Sequence, residues 1–207
     1  MTQHVRLSKL ETMDDVRFYA SADPEGPAAD ESLAAALNRQ GDVVPDVAVP
    51  KSVQPTKAKA KPLGDLNLIR SRVFLIGQKT AEVVRQFDIG SGRPLPIAVE
   101  HANDSVTSRG AFFSWNFGNK ATPFHPDGST GIEKSNRGTE KPGEHIYVPP
   151  NFPKDDTLAF SRDGLAGPDA GREGFLSAGT MLSDRLAAGL RVANLGMPFE
   201  VTRCRVA

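Results

Sequence analysis

Apolar positions along this chain change period several times, and two stretches set the frame for the rest. Val73 to Ile76 is a continuous apolar run of the length of a buried strand. Gly77 then offers a helix N-cap, and Thr80, Val83, Val84 and Phe87 recur at the three-and-four spacing of one helical face. Gly90 supplies the left-handed residue that closes a helix, and Pro94 and Pro96 forbid its continuation. Leu95, Ile97 and Val99 alternate as a half-buried strand does.

The same order returns between Gly174 and Ala207. Leu75–Gly90 overlies Met181–Gly196 without a gap, which sets Ser183 under Gly77 and Leu186, Gly189, Leu190 and Ala193 under the helical stripe. The identities are Ala81 with Ala187, Arg85 with Arg191 and Gly90 with Gly196. Any strand-helix-strand unit shares this much, so duplication and coincidence both stay open. Pro198 opens a last strand through Phe199, Val201, Cys204 and Val206, whose alternation is imperfect.

Before the first unit the signals are weaker. Residues 5–20 alternate faintly, and Asp30 caps a predicted helix through Leu33, Ala34 and Leu37 that stops at Gly41. Prolines at 45, 50, 55 and 62 and the alternation of Lys57, Lys59 and Lys61 with Ala and Pro then read as an extended linker or an edge-hugging arm, with few buried contacts.

Between the two units, Phe113, Trp115 and Phe117 share one parity and Phe112, Ser114 and Asn116 the other, a half-buried strand. Gly118 to Gly143 follows as a polar loop of about 26 residues, long enough to be functional or mobile. A short strand at His145–Val148 and a run at Leu158–Phe160 lead to a glycine-rich approach to the second unit. The predicted class is therefore α+β, a mixed sheet with two strand-helix-strand units, a candidate pseudo-repeat, and long polar loops. Residues 1–62 are expected to form an accessory segment with a short helix and a Pro/Lys-rich linker, and 63–207 the α+β domain.

Composition narrows function mainly by exclusion. Lys plus Arg and Asp plus Glu are each 25 in 207 residues, so no net field favours nucleic acid or an anionic membrane. The one cysteine, Cys204, makes no internal disulfide framework and fits a reducing compartment. No apolar stretch approaches the ~18 residues of a membrane span, and the first twenty residues lack a signal-peptide core. A cytoplasmic protein with no cofactor, no nucleic-acid partner and no membrane partner is the expectation.

Candidate chemistry is sparse. His125, Asp127, Glu144 and His145 are metal-ligand types, but no histidine pair has helical spacing and Pro126-Asp127-Gly128 is a turn signature in its own right. Ser129 lacks the glycine spacing of a nucleophile elbow, and Gly118-Asn119-Lys120 lacks the rest of a phosphate loop. The chain is thus expected not to be an enzyme. The alternative is a small hydrolase or transferase using His101, His125 or His145.

Four stretches carry a resemblance. They are VFLIGQKTAEVVRQFDIGSGRPLPIAVEH, AFFSWNFGNKATPFHPDGS, LAFSRDGLAGPD, and FLSAGTMLSDRLAAGLRVANLG with the ending FEVTRCRV. In order and spacing they are similar to a bacterial immunity-protein family of polymorphic toxin systems, immunity family eleven, formerly a domain of unknown function. The resemblance covers about Leu66 to Ala207 and fits residues 1–62 poorly. It implies an α+β protein that binds a cognate toxin or effector domain and blocks it. It transfers no binding residues. Those come from the long loop, where exposed polar groups of both signs suit discrimination among related partners: Lys120, His125, Asp127, Glu133, Lys134, Arg137 and Glu140.

Overall fold

The computed structural model describes residues 5–10, 19–21, 36–49, 52–55, 63–68, 74–99, 112–135, 145–150, 153–162, 166–177, 179–193 and 199–207. The first strands are β1 (Val5–Leu10), β2 (Tyr19–Ser21), β3 (Ser52–Pro55), β4 (Leu66–Leu68), β5 (Phe74–Gly77), β6 (Arg93–Val99), β7 (Phe112–Asn116) and β8 (Lys120–Ala121). After them come β9 (Glu133–Ser135), β10 (Ile146–Val148), β11 (Ala159–Phe160), β12 (Ala170–Glu173), β13 (Thr180–Ser183), β14 (Phe199–Arg203) and β15 (Arg205–Val206). Helix α1 spans Gln78–Val84 and α2 spans Asp184–Val192. The class is α+β, with mixed sheets.

Five strands form one sheet in the order β14-β1-β13-β12-β8, and six form another in the order β2-β3-β6-β7-β5-β4. β7 lies between β5 and β6 and runs antiparallel to both, so β5 and β6 are parallel with one strand inserted between them. β1 has the same relation to β13 and β14. Both strand-helix-strand units are therefore parallel strand pairs bridged by a helix and split by an antiparallel strand.

Position by position the two helices agree. Gly77 and Ser183 are the N-caps, and only Ser183 has a side chain to accept the Leu186 N–H, at 3.1 Å. Thr80, Ala81 and Val84 are buried on α1, and Leu186, Ala187 and Leu190 are buried on α2. The helices pack on one another where Gly189 meets Phe87, and a Cβ at 189 would stand 2.7 Å from the Phe87 ring. Helical periodicity alone forces much of this agreement, so the shared topology describes the fold without fixing its origin.

The main core joins both sheets and both helices. Leu66, Phe74, Ile76, Phe113, Trp115 and Phe117 from the six-stranded sheet meet Leu182 and Ala170 from the five-stranded one, with Val84, Leu186 and Leu190 from the helices. Phe74 and Phe117 stack edge to face with centroids 5.1 Å apart. Alternation along β13 sends Leu182 to this core and Met181 to a second one, built from Phe124, Leu158, Phe160, Leu176, Met181 and Cys204. The prolines of β6 sit where they cost least. β3 pairs only with Ala98 and Val99, so beside Pro94 and Pro96 it claims no ladder hydrogen bond.

Four expectations need correction. Residues 1–62 are not a connection with few buried contacts. β1 is an interior strand, Val53 on β3 is fully buried, and Val44 and Ala48 are buried beside a 3-10 turn at Asp46–Ala48. Asn38, within a helical turn over residues 36–40, donates to the Trp115 carbonyl (3.1 Å) and accepts from the Phe117 N–H (2.9 Å). The expected stop at Gly41 holds, with φ of 83°. The start of that helix, and Lys57, Lys59 and Lys61, lie outside the described residues.

The aromatic strand is buried on both faces, not one, because Val44 covers Asn116 and accepts its side-chain N–H through its carbonyl at 3.3 Å. The glycine-rich approach to the second unit contains β12, an interior strand buried at all four positions. The imperfect last strand is two strands. It breaks at Cys204, after which β15 leaves β1 and pairs in parallel with β11.

Candidate partner-binding surface

Residues 118–135 are not a structureless loop. Gly118 turns with φ of 58°, and β8 then runs parallel to β12 with Lys120 opposite Arg172. Asn119, between them, donates to the carbonyls of Ile89 (2.7 Å), Phe117 (2.8 Å) and Ala170 (3.0 Å) and accepts from Ser91 N–H at 3.0 Å. One amide thus satisfies the backbone of three segments. The Gly-Asn-Lys signal marks this junction.

Beyond it the chain is stapled to the second core. Phe124 is buried and bridges Phe160. His125 then enters a 3-10 turn, Pro126–Gly128, and its Nδ1 accepts the Gly128 N–H at 3.0 Å. Ser129 Oγ donates to the His125 carbonyl (2.9 Å) and accepts the Ala159 N–H (2.8 Å). Thr130 N–H reaches the Thr157 carbonyl, and Arg205 donates to the Gly128 carbonyl. β9 finally pairs with β10, Glu133 opposite Val148 and Lys134 opposite Tyr147. This two-stranded arm docks on the loop after β12: Tyr147 donates to the Phe175 carbonyl (2.7 Å) and accepts from Ser177 (2.9 Å).

Lys120, His125, Asp127, Glu133 and Lys134 are all exposed on this pinned segment. Adjacent positions on β9 send Glu133 and Lys134 to opposite faces of the arm. Exposed apolar groups adjoin them, with Val148 38% and Phe175 37% accessible. Arg137 and Glu140 lie outside the described residues, as do His4, His101 and Glu144. His145 precedes β10 and is half-buried, and His125 serves as a turn cap. Among the described residues no group of three or more His, Cys, Asp and Glu is placed to hold a metal. No helix among them is long and apolar enough to cross a membrane.

Sequence reasoning missed a buried carboxyl beneath this surface. Glu173 Oε2 accepts the N–H groups of Phe175 and Leu176, both at 2.6 Å, while Oε1 has no hydrogen-bond partner. Burial raises its pKa to about 7, against the opposing pull of the Leu176, Phe175, Phe124 and Gly174 amides. The surrounding Gly-Arg-Glu-Gly pattern gives no apolar signal that would have exposed it. An open cleft of about 400 Å³ lies on other elements, lined by Leu63, Asp65, Gln78, Lys79, Glu82 and Phe112. No protein-family model matches the chain, and no curated protein matches it.

Proposed function

We propose that this protein is an immunity protein, which binds a cognate bacterial toxin or effector domain and neutralises it by occupying its surface. The order of the four stretches similar to immunity family eleven motivates the reading. The observation that carries it here is the segment from Lys120 to Lys134. Charged groups of both signs stand exposed on a backbone fixed by the Asn119, Ser129 and Tyr147 hydrogen bonds. A pre-ordered polar surface loses little conformational entropy on binding, and its mixed charges penalise mismatched partners.

In this role the protein performs no turnover and needs no cofactor, and it acts in the cytoplasm of the toxin-producing cell. Co-expression with the product of the adjacent gene tests the reading. Rescue of growth together with co-purification is the expected result. Robust turnover of a small substrate by the isolated protein, with no toxic neighbour, overturns it.

A further inference from the structure

We propose that Glu173 is the catch of a proton-operated latch that holds the β9–β10 arm onto the five-stranded sheet. The geometry is a chain of three links. The carboxyl grips the Phe175 and Leu176 amides from below. The loop it grips folds back through Gly179, which donates to the Leu176 carbonyl (3.1 Å) while its own carbonyl accepts from Glu173 N–H (3.0 Å). The arm then hangs on that loop through Tyr147, hydrogen-bonded to Phe175 and Ser177 and bridged to Leu176.

Glu173 belongs on this face because β12 alternates. Arg172 leaves toward the main core, its guanidinium over the rings of Phe74 and Phe117, while Glu173 leaves toward Phe124, Leu176 and Tyr147. With Oε1 lacking a partner, the charged form is poorly housed while the loop is closed. Opening the loop lets water reach the carboxylate, so ionisation favours the open arm and protonation the closed one. The rise of the carboxyl to about 7 places this exchange in the neutral range.

The titratable and charged groups on the surrounding elements are Lys120 on β8, His125 beside Phe124, Glu133 and Lys134 on β9, His145 and Tyr147 at β10, and Cys204 before β15. None is among the causes of the Glu173 shift, which are burial and backbone amides. The test therefore carries a histidine control beside the Glu173 variant.

Hydrogen exchange at the Tyr147, Leu176 and Ser177 amides, corrected for intrinsic pH dependence, reads the latch directly. The expected result is opening at a lower free energy than global unfolding, with an opening constant that rises about tenfold between pH 6 and pH 8. Glu173→Gln keeps an acceptor for both amides and should abolish that rise, whereas His145→Gln should leave it. The inference is overturned if these amides exchange only at the rate of the Phe113–Trp115 core in the wild-type protein. A wild-type opening constant that does not change with pH, or one whose rise survives Glu173→Gln, also overturns it.

Discussion

Arg172 and Glu173 are neighbours on β12 whose side chains leave the strand on opposite faces, and both are buried. One strand thus carries a cation into the main core and a carboxyl into the second. Arg172 is held by the Asn38 carbonyl (3.2 Å from Nε), the Thr180 hydroxyl and the rings of Phe74 and Phe117, whose centroids lie 5.5 and 5.3 Å from the guanidinium carbon. Lysine keeps the charge but loses the planar stack and the fixed fork of donors. Arg172→Lys is therefore expected to lower stability by about 2 kcal/mol, read from urea unfolding, and Arg172→Ala by more.

Glu173 makes stability fall with rising pH. Below the ordinary carboxyl value of 4.5 it is protonated folded and unfolded, and contributes no pH dependence. Between 4.5 and about 7 the unfolded chain releases its proton while the folded one keeps it. The loss is complete above about 7 and amounts to about 3 kcal/mol. Unfolding midpoints at pH 5 and pH 8 should differ more in the wild-type protein than in Glu173→Gln, and the variant should be the more stable of the two at pH 8.

The N-terminal residues are expected to be indispensable. Deleting 1–62 removes the interior strand β1, the buried Val44 and Val53, and the Asn38 contacts to β7 and Arg172. The 63–207 fragment should show no cooperative thermal transition. Asn38→Ala, which strands the Trp115 carbonyl and the Phe117 N–H, should cost about 3 kcal/mol in the full chain.

Asp169 clamps the two strand-helix-strand units, and the clamp is asymmetric. Its carboxylate accepts Asp88 N–H from beyond α1, the Ser183 hydroxyl at the α2 cap, and Arg185 through both oxygens. The aspartate is buried while the Arg185 side chain is 65% exposed. Asp169→Ala strips the Asp88 N–H, the Ser183 hydroxyl and Arg185 of their shared acceptor and should cost about 3 kcal/mol. Arg185→Ala should have a small effect, as exposed ion pairs do. Equal losses in the two variants would contradict this placement.

What the sequence made legible was local. Helix α1 announced itself through the Thr80–Val84 spacing, although it ends at Val84 with Arg85 as its C-cap and not at Gly90, which turns the chain later with φ of 55°, and α2 through a serine cap and the same stripe. In both cases backbone geometry within one turn dictates the pattern. Burial of Asn38, Val44 and Val53 was not legible, because they gain their partners from strands far along the chain. A polar stretch with prolines looks the same whether it crosses solvent or covers a sheet. The surface residues Lys120, His125, Asp127, Glu133 and Lys134 were legible as exposed, since polarity without period signals exposure. The fixed backbone beneath them depends on Asn119 and Ser129, whose partners lie as far away as Ala170 and Ala159.

The measurement that bears most directly on partner binding is titration of the adjacent gene's toxin domain with wild-type protein and with Asp127→Lys/Glu133→Lys. The account predicts that the double reversal weakens Kd at least about tenfold through like-charge contacts, while Tm stays nearly unchanged because both residues are exposed. It also predicts that alanine at His101, His125 and His145 leaves most protection intact. The contrary result is undiminished binding by the charge-reversed protein, with protection abolished in a folded triple-histidine variant, and it would assign the activity to chemistry at the histidines.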